Sequence, residues 1–199
     1  MYEKLNITEN HLQILQLFTS GYDKGIYIRE VQHLLNVSPR TSQLILGDLE
    51  KKGVLESETK GKIRIYRLKI NVTALNYLNL VENYKKLSLM QKNDIIREVI
   101  EKITPHIKGI AAIFGSYAKG IEKKDSDLDL FIAGEYNERE ISKISKIYGI
   151  LISIRACPLH KFNGLVKTDT LLREILNNHV IVLGSDLFVI GAMRENGND

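Results

Sequence analysis

The period of the apolar residues changes several times along the chain, and each change marks an element. Over residues 10–18 they recur at helical spacing, and Thr19-Ser20-Gly21 ends the run. Tyr27-Ile28-Arg29 reads as a short strand or as the entry to a second helix over residues 29–35. Ser38 is a good N-cap and Pro39 suits a first helical position, so a third helix is expected over residues 39–52. Its inward residues are Ile45, Leu46 and Leu49, and Gly53 stops it. The period then drops to two. Residues 54–57 and 63–68 alternate apolar and polar around Glu58-Thr59-Lys60-Gly61-Lys62, which predicts a β-hairpin with a basic tip.

Residues 71–103 contain no Pro or Gly and return to helical spacing. Ala74, Tyr77, Leu78, Val81 and Tyr84 form one stripe. Ser88 is read as a break before a second helix through Ile95, Ile96, Val99, Ile100 and Ile103, which Pro105 ends. Asn71-Val72-Thr73 has the form of a glycosylation acceptor and reads instead as a helix cap. Residues 109–114 are an apolar run of strand length, and Leu128, Leu130, Phe131 and Ile132 make a second strand. A helix over 137–148 follows, with Ile141, Ile144 and Ile147 inward, and Gly149 closes it. Residues 150–156 alternate as a third strand, with Leu151, Ser153, Arg155 and Cys157 on one face. A helix over 168–178, capped by Thr168 or Asp169, and a strand over 180–183 complete the pattern. The tail from Arg194 reads as disordered.

At 199 residues the chain has room for one or two domains with a self-sufficient core. The single cysteine, Cys157, excludes a disulfide framework and a cysteine zinc site. Nothing reads as a signal peptide or membrane span, so a cytoplasmic protein without membrane partners is expected. The net charge of +4 is unevenly placed: +3 over residues 1–70 (11 basic against 8 acidic), +1 over 71–104 and 0 over 105–199. The basic bias belongs to the front of the chain, where it favours nucleic acid weakly.

The chemistry concentrates in Gly115-Ser116-Tyr117-Ala118-Lys119-Gly120 and the following Asp125-Ser126-Asp127-Leu128-Asp129-Leu130. The first stretch sits where a strand ends and a helical turn begins. Free N–H groups there suit a phosphate, Gly115 permits close approach and Ser116 adds a hydroxyl. Asp127 and Asp129 are spaced i, i+2, which on a strand puts both carboxylates on one face. Such a pair needs a cation between them, and Mg²⁺ is held by one or two carboxylates plus phosphate oxygens. Together they read as a site for a nucleoside triphosphate.

These residues, Gly-Ser with a glycine four residues after the serine and then Ser-Asp-x-Asp-Leu, resemble the signature of the polymerase-β-type nucleotidyltransferases, above all their minimal forms. The resemblance implies Mg²⁺ or Mn²⁺ at Asp127 and Asp129 as catalytic and metal residues. It implies a nucleoside triphosphate, with ATP the first candidate, at Gly115 and Ser116, and Tyr117 and Lys119 are further contacts to base or phosphate. Ser-Pro-Arg-Thr-Ser followed by Asp-Leu-Glu-Lys-Lys-Gly-Val-Leu, with the hairpin behind it, resembles a winged helix-turn-helix of transcription regulators. That implies double-stranded DNA as partner. The candidates are Ser38, Arg40, Thr41, Ser42 and Gln43 in the major groove and Lys60, Lys62 and Arg64 on the wing, Arg40 and Gln43 being best suited to base edges. The alternative is a module for protein contacts or dimerisation.

The expected fold class is α/β (α+β). A winged helix-turn-helix over 1–70 leads into a helical linker over 71–104, then a nucleotidyltransferase-like mixed sheet with helices over 105–193. That order resembles winged-helix and minimal-nucleotidyltransferase fusions known mainly in archaea. A homodimer is expected, with the helix over 73–87 as its contact. The chain departs from the family in one respect. The family's third carboxylate belongs on the strand after the Asp-x-Asp strand, and residues 141–167 contain no Asp or Glu. Ser153 and Arg155 stand where it should project. Arg155 is read as a fixed cation in place of a second metal, which favours binding a nucleotide over transferring one. The function expected is a DNA-binding regulator with a nucleotide- and Mg²⁺-binding domain that keeps the groups for nucleoside monophosphate transfer to a hydroxyl. The alternative is an active nucleotidyltransferase acting on a small molecule, an RNA end or a protein side chain.

Overall fold

The computed structural model describes residues 5–195, and they divide into two compact units between Val81 and Glu82. In the first unit α1 (Glu9–Phe18), α2 (Ile28–Leu35) and α3 (Pro39–Lys51) precede a hairpin of β2 (Leu55–Lys60) and β3 (Ile63–Leu68). A two-residue strand, β1 (Ile26–Tyr27), pairs antiparallel with β3, giving the sheet order β1-β3-β2. The Tyr27 region is therefore both a strand and the entry to a helix. The strands of the hairpin run further toward the tip than alternation alone indicated, because Gly61 at φ 63 turns the chain in two residues. Ser38 caps α3: its Oγ accepts from the Thr41 N–H at 3.0 Å. Ile14, Leu15, Phe18, Val31, Leu46, Leu49, Val54 and Tyr66 are buried and give the unit its core.

Asn71 is a helix cap. Its Oδ1 accepts from the Ala74 N–H at 2.7 Å, and its Nδ2 donates to the Gly53 carbonyl at 2.9 Å. The helix it starts, α4 (Val72–Lys92), passes through Ser88 without a break. The interruption comes at Asn93, whose Oδ1 accepts from the Ile96 N–H and caps α5 (Asp94–Ile103). A serine tolerates a helix interior, whereas a side chain that satisfies a new helix's N–H groups defines a start.

The second unit is built on β4 (Ile107–Phe114), β5 (Leu128–Tyr136), β6 (Ile152–Cys157) and β7 (Val180–Leu183), in the order β6-β5-β4-β7. β4 is antiparallel to β5 and β7, while β5 and β6 are parallel. The parallel pair requires a crossover, which α7 (Glu138–Tyr148) supplies. One face of the sheet carries Ile113, Leu128, Leu130, Ile132 and Val182 into a core with Ile96, Val99 and Ile103 of α5 and Ile141 of α7. On the other face Phe131, Phe162 and Phe188 follow one another at ring-centroid separations of 6.1 and 5.4 Å. Phe162 and Phe188 belong to α8 (Phe162–Thr168) and α10 (Ser185–Glu195), two helices that apolar spacing did not predict. Asp169 separates α8 from α9 (Thr170–Asn177), which it caps through Leu172 N–H at 2.9 Å. The tail expected to be disordered from Arg194 begins inside α10, and residues 196–199 lie outside the described ones.

A charged cluster is buried in this unit. Glu82 Oε2 is 2.8 Å from Lys85 Nζ, and Glu82 Oε1 is 3.3 Å from His179 Nε2. The other ring nitrogen of His179 faces the carbonyls of Ile175 and Leu176 at 3.0 and 3.1 Å. Burial pushes the Glu82 carboxyl up, but the charges and hydrogen bonds of His179 and Lys85 outweigh it and hold the group at about 2.

Candidate functional site

β4 ends at Phe114, which pairs with Asp129 of β5. The chain then turns at Gly115, φ 69, into the five-residue helix α6 (Gly115–Lys119). Glycine is required here twice over. The left-handed conformation disfavours a side chain, and a Cβ built on Gly115 would overlap Asp129 Oδ2. The backbone of the turn therefore lies directly against the Asp129 carboxylate, with Ser116 half-buried beside it.

Asp127 and Asp129 are brought together, though not by strand alternation as the spacing suggested. β5 begins at Leu128, where the Leu128 N–H donates to the Leu151 carbonyl at 2.8 Å. Asp127 is thus the last residue of the loop before the strand, and it is exposed. The loop is braced by Ser126, whose Oγ accepts from the Lys123 N–H at 2.8 Å. Burial, then the neighbouring Asp127 carboxylate, push the Asp129 carboxyl above its ordinary value; Arg155 pulls it down and Glu174 adds to the rise.

The register explains Arg155. Asp129 pairs with Ser153, and Phe131 with Arg155, so Arg155 shares the Asp129 face of the sheet two residues along the neighbouring strand. Its side chain is exposed. Tyr117 corrects an expectation: it is buried among Leu128, Leu130 and Ile113, so it reaches neither base nor phosphate. Burial and Glu122 raise its hydroxyl above the ordinary value. Lys119 is exposed at the end of α6, with Nζ 3.4 Å from Glu174 Oε1.

Glu174, which the sequence pattern did not single out, also faces this turn: it lies on α9 beyond residues 141–167 with no local motif to mark it, and only the packing of α9 brings it to Lys119. Cys157 and His160 lie elsewhere. With Lys108, Gly109, Gly134 and Pro158 they line a groove of about 930 Å³ at the opposite end of the strands from Asp129. Among the described residues no three His, Cys, Asp or Glu side chains converge as a metal cluster. Two carboxylates beside a backbone turn fit one hard divalent cation that also takes oxygens from a substrate.

In the first unit Arg40 and Gln43 are exposed on the first turns of α3. Ser38 and Thr41 hydroxyls hydrogen-bond each other at 2.8 Å. Ser42 corrects another expectation: it is fully buried, its hydroxyl donating to the Ser38 carbonyl at 3.1 Å, so it cannot read a base. On the hairpin Lys62 is exposed and Lys60 pairs with Glu58 at 3.3 Å. Arg64 is not a free cation. It donates to Glu50 at 2.6 Å and Ser57 at 2.8 Å and stacks over Tyr66.

The family model described as polymerase beta, nucleotidyltransferase matches residues 93–187. The match begins at the cap of α5, ends within α10 and takes in the whole sheet of the second unit. Over those residues the second unit is similar to the nucleotidyltransferase domains of the polymerase-beta class. No curated protein and no solved structure matches the chain. No described helix is long and apolar enough to cross a membrane.

Proposed function

We propose that the C-terminal domain binds a nucleoside triphosphate together with one divalent cation, and that the N-terminal unit is a winged helix that binds double-stranded DNA. The chain is then a regulator whose DNA-binding unit is fused to a nucleotide site. The observation that carries the nucleotide half is the Gly115 backbone packed on Asp129, with Asp127 alongside. Gly115 and Ser116 receive the phosphates, and Lys119 adds a cation at the end of the same turn. Asp127 and Asp129 would hold Mg²⁺ or Mn²⁺, which when bound neutralises the triphosphate and polarises its phosphorus–oxygen bonds. Arg155 contributes a second, fixed positive charge on the Asp129 face, in the role that a second metal plays in a two-metal site.

For DNA, the exposed Arg40 and Gln43 support readout by α3, and Lys62 supports a backbone contact from the hairpin. Ser38 and Thr41 serve chiefly to cap α3, and Lys60 and Arg64 are engaged by Glu58 and Glu50. The homodimer and the cytoplasmic location remain part of this proposal.

The test is calorimetric titration with ATP, GTP, CTP and UTP, with and without Mg²⁺, repeated on the Asp127→Ala, Asp129→Ala double variant. Metal-dependent binding that the variant loses is the expected result. Absence of binding to all four nucleotides would remove the nucleotide half and leave the domain a scaffold.

A further inference from the structure

We infer that Glu174 on α9 is the proton acceptor for a hydroxyl group that attacks the α-phosphorus of the nucleoside triphosphate, so that the domain is a working transferase; this rests on the nucleotide-binding reading above. The argument begins with α6. Its first residue, Gly115, packs on the Asp129 carboxylate, and its last, Lys119, pairs with Glu174. Asp129 and Glu174 therefore border the two ends of one short helix, and the Glu174 carboxylate is close enough for its charge to act on Asp129. This agrees with the lack of a three-carboxylate metal cluster among the described residues. Glu174 is placed to face the nucleophile rather than to share the ion of the Asp pair.

The alternatives near the site are poorer acceptors. Ser153 is the strand neighbour of Asp129 but carries no charge, and Arg155 is a cation. Glu122 turns one oxygen into the interior without a hydrogen-bond partner. His160 is at the far end of the strands. Glu174 is a carboxylate with a 59% exposed side chain, open to an incoming hydroxyl, and Lys119 restrains its rotamer through one oxygen. In the step, the hydroxyl oxygen bonds to the α-phosphorus as the bond from that phosphorus to the bridging oxygen of the β-phosphate breaks. Pyrophosphate leaves with the electron pair, and the hydroxyl proton passes to Glu174.

Water is itself a hydroxyl acceptor, so the test needs no knowledge of the natural one. Pyrophosphate release from ATP, GTP, CTP and UTP is measured with Mn²⁺, in water and in 1 M glycerol, on the full chain and on Glu174→Gln and Glu174→Asp. Nucleotide affinity is measured by calorimetry, and Mn²⁺ affinity of the nucleotide-free protein by electron paramagnetic resonance. The expected result is a fall in release of about 100-fold or more in Glu174→Gln at saturating nucleotide. Nucleotide and Mn²⁺ affinities should stay within about threefold, and Glu174→Asp should recover part of the rate. Release at the wild-type rate in Glu174→Gln overturns the assignment. So does a loss of Mn²⁺ binding, which would make Glu174 a ligand, or a loss of nucleotide affinity that accounts for the lower rate, which would make it only a tether for Lys119. A wild-type protein that binds nucleotide but releases no pyrophosphate overturns the transferase inference and leaves the binding reading standing. One that binds no nucleotide overturns both.

Discussion

Glu82→Gln should destabilise the C-terminal domain through the buried cluster, far from the Gly115–Asp129 turn in sequence. Glu82 is fully buried, and its two oxygens meet Lys85 at 2.8 Å and His179 at 3.3 Å. A carboxyl held at about 2 instead of its ordinary 4.5 contributes about 3 kcal/mol at neutral pH. An independent route gives the same size: removing one partner of a buried ion pair costs about 3–5 kcal/mol, because the buried Lys85 loses the carboxylate 2.8 Å from its Nζ. The sign with pH follows from the direction of the shift. Since the folded-state pKa is depressed, the contribution is fully present above pH 4.5 and is lost as pH falls toward 2. Hydrogen exchange at the β4 amides of the full chain reads domain opening without assuming that both units unfold together. At pH 7 the Glu82→Gln variant should show β4 opening cheaper by about 3 kcal/mol, and the difference should shrink on acidification. A variant within about 0.5 kcal/mol of wild type at pH 7 would refute the reasoning, and so would a penalty that grows as the pH is lowered.

Other perturbations test the remaining contacts. Gly115→Ala places a methyl on the Asp129 carboxylate in a left-handed conformation, and should cost about 1–3 kcal/mol of stability and at least tenfold in nucleotide affinity, read by thermal unfolding and calorimetry. Ser38→Ala removes the cap of α3 and should lower stability of the first unit by about 1 kcal/mol in urea unfolding, while Ser42→Ala exchanges a buried hydroxyl bond for a small void. Arg155→Met should raise the Asp129 pKa further, since the guanidinium lowers it; carboxyl-carbon nuclear magnetic resonance follows the titration, and an unmoved midpoint would remove Arg155 from the site.

Much of the fold is written in local pattern. Ser38-Pro39, Asn71, Asn137 and Asp169 each start a helix by satisfying its first N–H groups with a side chain a few residues away, so neighbouring letters suffice to place them. The Gly-Ser turn and the acidic pair are legible for the same reason: turn and strand start are short-range events. Helices α8 and α10 were not, because Phe162 and Phe188 gain their helical environment from each other and from Phe131 rather than from an amphipathic run of their own. Ser88 misled because a serine reads as a stop only when a new cap follows it, and the cap is Asn93.

The site divides in the same way. Gly115, Ser116, Asp127 and Asp129 lie close in the chain, so the spacing of the letters alone was enough to propose them as a phosphate and cation cradle. That Tyr117 turns inward, that Ser42 is buried and that Arg64 is spent on Glu50 depends on which face each element packs. Glu174 meets Lys119 across 55 residues of chain, and Glu82 meets His179 across 97. Pairings at such separations are selected by the sheet order β6-β5-β4-β7 and the burial it enforces, not by any local preference. The sequence by itself determined the capped helices and the Gly-Ser turn, since both rest on hydrogen bonds a few residues long. The tertiary structure alone decided which distant charges face the turn, because long-range contacts exist only once the sheet has closed.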